Sequence, residues 1–137
     1  SLEEALAADL VATVTPGRQV VIREGVLRPG QHVSLIGADG PGKSEIAVSE
    51  LLRCRLFCDD WEQARHGGEL QHAARAGLLD RTSVTDLGAV LAGKAQGRRF
   101  AEEITAFDST GLAIQDLAIA LAALRSAGDL DLPRVRL

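Results

Sequence analysis

A glycine-rich loop at residues 37–44, with the sequence GADGPGKS, holds side chains whose types and spacing could do chemistry. It satisfies the G-x-x-x-x-G-K-[ST] pattern of phosphate-binding loops, in which backbone N–H groups cradle the phosphates and the lysine reaches them. An apolar run precedes it, and Asp59 farther along could serve as the magnesium-binding aspartate that such proteins carry at a strand end. The loop therefore makes a nucleotide hydrolase one candidate.

Two residues of this loop argue against phosphate binding. Pro41 has no N–H and so removes one donor from the cradle. Asp39 would place a carboxylate among the phosphates, and like charges repel strongly in a dry site. A second interpretation makes Asp39 the reactive group, because ligands of doubly wound sheets bind beyond the carboxyl ends of the strands. A third takes the loop as a plain turn with a solvated Lys43.

Other polar residues also follow apolar runs. Such runs predict strands over residues 10–14, 32–36, 55–58 and 104–107. Thr15 comes directly after the first run, and Asp108, Ser109 and Thr110 come after the last. Because the carboxyl ends of parallel strands meet at one edge of a sheet, we expect one crevice with a carboxylate, hydroxyl groups and a lysine.

Helices are predicted between and after these strands, over residues 44–53, 61–76, 84–92 and 112–127. The alternation of strands and helices indicates an α/β fold with a mainly parallel sheet. The last segment, LAIQDLAIALAAL, is apolar nearly all round, which predicts a helix buried on several sides. The first strand also begins at residue 10 with no earlier partner strand. We therefore expect the chain to be the C-terminal part of a larger protein.

Composition excludes several classes of function. The 137 residues are 46% hydrophobic and 25% charged, as in a globular domain, and the net charge of −4 offers no basic surface for nucleic acid or anionic membrane. No apolar run approaches the ~18 residues that a membrane span needs. The acidic start, SLEEALAADL, is unlike a secretory signal. We expect a cytoplasmic protein with small-molecule partners.

Cysteines and histidines form a C-x3-C…H-x5-H series: Cys54, Cys58, His66 and His72. In a strand the two sulfur atoms would start ~13 Å apart, too far for one zinc ion whose Zn–S bonds are ~2.3 Å. We therefore expect two buried, reduced thiols and no metal.

The remaining acidic pairs, Asp59-Asp60 and Glu102-Glu103, are assigned no chemical role. Carboxylates are favourable near helix N-termini and in water, so we expect both pairs in such places. Trp61 is expected to pack against the protein and not to serve as a ligand platform.

Three segments together point to a family: GADGPGKSE, LFCDDWEQARHGGEL and LGAVLAGKAQGRRFAEEITAFDSTGLAIQDLAIA. In their order and spacing the chain resembles the ornithine cyclodeaminase/μ-crystallin family, which includes the archaeal-type alanine dehydrogenases. The resemblance runs from about residue 8 to residue 127 and is most specific in EEITAFDSTGLAIQD. It implies that residues 1–111 are the C-terminal part of a Rossmann-like dinucleotide-binding domain. Residues 112–137 would then pack towards a substrate-binding and dimerisation domain.

The resemblance also implies roles for individual residues. Asp39 matches the family's catalytic acid/base, and Lys43 matches a lysine on the cofactor side. Thr15 matches a strand-end threonine that borders the cofactor. Ser109 matches a serine beside the nicotinamide, and Thr110 occupies a position that faces the substrate.

An NAD(P)-dependent enzyme follows from the resemblance, with NAD or NADP as cofactor and an amino acid or imine as substrate. The reaction would be hydride transfer at an amino-acid Cα, as in an amino-acid dehydrogenase or a cyclodeaminase, and the complete protein would be a homodimer. Ser34 and Thr110 stand where ornithine cyclodeaminases usually have asparagine and valine, which argues against ornithine itself. Members of the μ-crystallin type generally lack the GAD aspartate, so Asp39 favours an enzyme over the alternative, a non-catalytic binder.

Several of the family's other motifs match nothing in the chain. These are its G-x-G-x-x-G turn, the acidic residue that binds the ribose, and the substrate-binding lysine and arginines. All of them would lie upstream of residue 1. We therefore expect the chain to supply one wall of the site and to bind NAD(H) weakly by itself.

Overall fold

The computed structural model describes residues 1–128, and its centre is a five-stranded sheet. The strands are β1 (Leu10–Thr13), β2 (His32–Leu35), β3 (Arg55–Cys58), β4 (Val84–Asp86) and β5 (Thr105–Asp108). Their spatial order is β1-β2-β5-β3-β4, and every neighbouring pair is parallel. Parallel neighbours need crossover connections. Those after β2 contain helices, and among the described residues the connection from β1 to β2 contains none. The predicted α/β class with a parallel sheet is confirmed.

Within these residues the helices are short, apart from the last. They are α1 (Leu2–Leu6), α2 (Val48–Leu51), α3 (Trp61–Gly67), α4 (Gln71–Arg75), α5 (Leu87–Leu91) and α6 (Ala113–Ala127), with a 3-10 turn at Arg81–Ser83. Ser1 and Asp60 accept hydrogen bonds from N–H groups one turn on, which fixes where α1 and α3 begin. None of the helices in residues 1–128 combines the length and apolar character needed to cross a bilayer.

Strand β4 corrects the helix predicted over residues 84–92, because α5 begins only at Leu87. Val84 is buried and pairs with Leu56 of β3. A β-branched residue in that position favours the strand. Since Val84 is followed by the polar pair Thr85-Asp86, the sequence shows too little alternation to reveal a strand.

The helix predicted over residues 44–53 is also shorter than expected, because only Val48–Leu51 is helical. Ile46 instead forms a parallel bridge with Ile22. The glycine-rich loop therefore does not run directly into a helix N-terminus. The helix predicted over residues 61–76 is in fact two helices, α3 and α4, separated at Gly68.

The hydrophobic core lies between the strands and helices α2–α4. Its buried members include Val33, Leu35, Leu51, Leu70 and Ala73, and Trp61 packs against them as predicted. Burial of this apolar surface drives folding of the sheet against the helices.

Both cysteines are free thiols, as expected, although only Cys58 is fully buried and Cys54 is partly so. Burial raises the pKa of each thiol to about 12. The expectation that Glu102-Glu103 lies at a helix start or in water is wrong for Glu103, which is buried beside Arg99.

Helix α6 is exposed along its whole length, and none of its residues is buried. Its large apolar side chains are between 44% and 71% exposed: Ile114, Leu117, Ile119, Leu121 and Leu124. Residues 1–128 therefore do not supply the cover that the sequence predicts for this helix. The rest of the predicted C-terminal tail, residues 129–137, lies outside the described residues.

Candidate functional site

The carboxyl ends of the strands form one edge of the sheet, here called the site edge. Thr15 follows β1, Asp39 and Lys43 follow β2, and Ser109 and Thr110 follow β5. Strands β1, β2 and β5 are adjacent in the sheet. The structure thus brings all five predicted site residues to the same edge.

Asp39 and Lys43 form an ion pair in the glycine-rich loop, in which the lysine Nζ donates to the aspartate Oδ1. The Asp39 side chain is 62% exposed and that of Lys43 is 37% exposed. The hydrogen bond from Lys43, together with its positive charge, holds the pKa of Asp39 below its ordinary value. Asp39 is therefore ionised at neutral pH and open to a ligand, as a proton acceptor must be.

A buried carboxylate, Glu45, links the ends of β1 and β2. It accepts hydrogen bonds from the Thr13 hydroxyl (2.6 Å), the Thr15 N–H (2.6 Å) and the Gly37 N–H (2.8 Å). Burial alone would raise the pKa of Glu45, but these hydrogen bonds together bring it below its ordinary value. Glu45 is therefore an ionised group with no exposed surface.

Asp59, at the end of β3, organises the segment that follows β5. It accepts hydrogen bonds from the Thr110 hydroxyl (3.0 Å), the Gly111 N–H (2.8 Å) and the Ser109 hydroxyl (3.4 Å). Both aspartates of the Asp59-Asp60 pair are expected at a helix N-terminus or in water. Asp60 does cap α3, but Asp59 instead holds the segment after β5, so the expectation is wrong for Asp59. Asp59 fixes two of the predicted site residues.

Two further carboxyl groups, Glu69 and Asp108, lie beneath the site edge with 1% exposure each. Glu69 accepts from the Ser44 hydroxyl (2.9 Å) and the Glu45 N–H (2.5 Å). Asp108 accepts from the Leu70 N–H (3.0 Å), and its Oδ1 atom has no hydrogen-bond partner among the described residues. Burial raises the pKa of each group to about 7. The sequence gives no signal of the role of Glu69. Asp108, expected to follow the last strand, is instead the buried last residue of β5.

Four of the seven N–H groups of the glycine-rich loop, residues 37–44, donate within the protein. That of Gly37 donates to the buried glutamate, that of Gly42 to the buried Gln71 (2.7 Å), and that of Lys43 to a loop carbonyl (3.3 Å). Pro41 has none, and no helix begins inside the loop. A phosphate cradle needs such groups free and aimed at the anion. The geometry therefore argues against the phosphate-binding interpretation.

The site edge has little enclosed space and no metal-binding cluster among the described residues. Within residues 1–128, no group of three or more His, Cys, Asp and Glu side chains could hold a metal ion. Thr15 borders a cavity of about 240 Å³ together with Pro16. A cavity of about 660 Å³ lies at the opposite edge of the sheet, among Arg53 and Arg55, and contains none of the predicted site residues.

Comparison with known proteins agrees with the resemblance seen in the sequence. The ornithine cyclodeaminase/mu-crystallin family model matches residues 1–127. The chain belongs to this family. It is 45% identical over 126 residues to the alanine dehydrogenase of Archaeoglobus fulgidus. The aligned region covers 91% of this chain and 39% of that protein. The chain thus spans well under half the length of this curated relative.

Solved structures of the family share the fold. An archaeal alanine dehydrogenase dimer with bound NAD matches with a TM-score of 0.87 and 41% identity, over 100% of this chain and 43% of that one. The iminosuccinate reductase of Paracoccus denitrificans, in complex with NAD⁺, matches with a TM-score of 0.86 and 36% identity, over 94% and 40%. The fold of this chain is therefore shared with two family members whose structures contain NAD.

Proposed function

We propose that this chain forms one wall of an NAD(P)-dependent active site that transfers hydride at the Cα of an amino acid or its imine. The observation that carries the proposal is the ionised, exposed carboxylate of Asp39 at the sheet edge shared with Thr15, Ser109 and Thr110. The two NAD-bound relatives that match this chain support the same class of cofactor.

Asp39 would exchange a proton with the substrate nitrogen or with an attacking water. It is unprotonated at neutral pH, which is the form that accepts a proton while an amino acid is oxidised. The bound nicotinamide would supply or receive the hydride. The protein's own part is therefore proton transfer and orientation.

Thr15 and Ser109 would contact the cofactor, and Thr110 would face the substrate. The hydroxyl groups of Ser109 and Thr110 each donate their single proton to Asp59. A hydroxyl that donates elsewhere still has lone pairs to accept a hydrogen bond. Both side chains are therefore set up to accept N–H donors of a ligand, such as a carboxamide or an amine.

The relatives do not agree on a substrate, since one is an alanine dehydrogenase and another an iminosuccinate reductase. We therefore propose only the reaction class, hydride transfer at the Cα of an amino acid or its imine, and no particular substrate. We also propose that residues 1–111 belong to the dinucleotide-binding domain and that α6 packs against further protein in a homodimer. The exposed apolar side chains of α6 and the dimeric alanine dehydrogenase support this assembly.

Asp39→Asn tests the proposed function in the natural polypeptide that contains this sequence. We expect turnover of amino acids or imines to fall by ~10²–10⁴-fold, because positioned proton transfer contributes about that much. NADH affinity, measured by fluorescence titration, should change little. Asp60→Asn is the control, because its amide oxygen can still cap α3.

Two results would contradict the proposal. Equal losses of turnover and NADH affinity in Asp39→Asn would make the aspartate structural. A wild-type protein that binds NADH and converts none of these substrates would be a non-catalytic binder.

A further inference from the structure

We propose that Glu45 is a positioning residue of the active site, which sets the distance between the end of β1 and the end of β2. The first of these ends carries Thr15 and the second leads to Asp39. The inference rests on the proposed function of those two residues. Glu45 is fully buried, so it acts through the backbone it holds and not by touching a ligand.

Glu45 continues the link between the strands beyond the point where their own hydrogen bonds stop. The ladder between β1 and β2 ends at Thr13 and Leu35, and one more backbone bond joins the Ile36 N–H to the Thr13 carbonyl (2.9 Å). Past that bond, the Glu45 carboxylate accepts hydrogen bonds from one N–H group after each strand, that of Thr15 (2.6 Å) and that of Gly37 (2.8 Å). It replaces a rung of the sheet where the two strands separate.

Among the described residues, the negative charge of Glu45 is stabilised by hydrogen bonds and not by an ion pair. Within residues 1–128 no lysine, arginine or histidine forms a salt bridge with it. A buried carboxylate without a cation is unfavourable unless several donors stabilise its charge. An apolar side chain would fill the same space without this penalty but could not hold two backbone N–H groups in place. The specific gain from a carboxylate is therefore geometric.

Close packing and backbone hydrogen bonds hold Glu45 in one position. A Cβ atom on Gly37 would lie 2.3 Å from the Glu45 Oε1 and 2.3 Å from the Thr15 carbonyl oxygen, so the strand end can approach only as glycine. The Glu45 N–H donates to Glu69 (2.5 Å), and its carbonyl accepts from Ile22 (2.9 Å). Movement of the carboxylate would therefore move both strand ends.

Glu45→Gln tests this inference, and Glu50→Gln is the matched control. Glu50 is also fully buried and accepts two backbone N–H groups, from Gly25 (2.7 Å) and Leu27 (2.6 Å), away from the site edge. An amide has one acceptor oxygen and cannot hold all the donors that a carboxylate holds. Both variants thus remove a buried carboxylate oxygen that accepts backbone N–H groups, and Glu50→Gln in addition weakens the ion pair with Arg53.

In the natural polypeptide that contains this sequence, we expect hydrogen exchange at the Thr15 and Gly37 amides to become about tenfold faster in Glu45→Gln. Turnover should fall by about 100-fold, because small displacements of reacting groups have effects of that size. Glu50→Gln should speed exchange at Gly25 and Leu27 while leaving turnover unchanged.

The inference is overturned if Glu45→Gln speeds exchange at both strand ends yet turns over as fast as Glu50→Gln. If Glu45→Gln does not fold, Glu45→Asp keeps the charge with a shorter reach, and turnover equal to the wild type would overturn the inference. Failure of the wild type to bind NADH would instead contradict the proposed function, and the exchange data would still report on Glu45.

Discussion

The buried carboxyl groups at the site edge, where the strands end, have different partners from those at the opposite edge, where the strands begin. At the site edge, Glu45, Glu69 and Asp108 accept hydrogen bonds from N–H and hydroxyl groups. None of the three forms a salt bridge within residues 1–128. Two of them, Glu69 and Asp108, have a pKa raised to about 7 by burial.

Near the opposite edge, where the strands begin, each buried carboxylate has an arginine. Glu50 pairs with Arg53 at 2.7 Å, and Glu103 pairs with Arg99 at 2.6 Å. Burial alone would raise the pKa of both carboxyl groups, but the hydrogen bonds they accept, including those from the arginines, lower it. These groups stay ionised at any pH near neutral and serve the fold.

The difference separates buried carboxyl groups that are paired with a cation from those that are held by neutral donors. An ion pair fixes both charge and position, and it stabilises one state. At the site edge, neutral donors hold Glu45 in place, and burial without a cation raises the pKa of Glu69 and Asp108. Perturbed carboxyl groups of this kind concentrate at functional sites. The comparison therefore supports the site edge on grounds independent of family.

Gly37→Ala is the change for which this comparison predicts the largest loss of stability. The new methyl group would collide with the Glu45 carboxylate and the Thr15 carbonyl. We expect the free energy of unfolding to fall by about 3 kcal/mol, since overpacking of a tight site has effects of that order. Urea denaturation would measure it. Gly40→Ala, in the same loop, is the control because its Cβ would meet nothing within 4 Å. Equal stability of the two variants would show that Glu45 is not closely packed.

Asp108→Asn and Glu103→Gln should have opposite effects at pH 8. The pKa of Asp108 is raised to about 7 by burial, with the charges of Glu69 and Asp59 adding to it. Its contribution to stability is therefore full below its unfolded pKa and is lost as pH rises through about 7. Asparagine stays neutral and keeps an oxygen for the Leu70 N–H.

We expect Asp108→Asn to raise the free energy of unfolding by roughly 2 kcal/mol at pH 8 and by much less at pH 5. The pKa of Glu103 is lowered, so its contribution is present above its unfolded pKa and is lost as pH falls through the folded one. Glu103→Gln should therefore destabilise the protein at pH 8. Thermal unfolding at both pH values checks the pair. Destabilisation by Asp108→Asn at pH 8 would remove the contrast between the edges.

Much of the sheet is predictable from the sequence, because most of its strands are short, largely apolar segments bounded by polar or turn residues. β2 and β3 match their predicted bounds to within one residue. β4 is not predictable, since Val84 is its single apolar residue. The exposure of α6 could not be predicted for another reason. The apolar sequence of the helix shows that it must pack against other protein but not which residues it packs against.

The site is predictable only in part. Thr15, Asp39 and Ser109 could be placed together because strand ends share an edge in a parallel sheet. The carboxylates that hold them could not, because their contacts join residues far apart in the chain. Asp59 reaches Thr110 across a separation of 51 residues, and Glu45 reaches Thr15 across 30. No local spacing rule encodes such contacts.

Lys43→Ala is the variant expected to change stability least, and it tests the one lysine that the structure places at the site edge. Lys43 pairs with the exposed Asp39 and not with a buried carboxyl group. Exposed ion pairs contribute little net stability, so the Tm should stay essentially unchanged. We expect NADH affinity to fall about tenfold, as the loss of one charge-assisted contact would cause, and turnover to fall less.

The same variant should raise the pKa of Asp39 towards its ordinary value, because the lysine's hydrogen bond and charge are lost. The acidic limb of the pH profile of kcat/KM should then move to higher pH. Lys94→Ala, at an exposed lysine away from the site edge, should change neither quantity. A large fall in Tm would place Lys43 among the structural ion pairs and weaken the contrast between the two edges. Loss of magnesium-ATP binding, with NADH affinity intact, would revive the phosphate-binding interpretation of the loop.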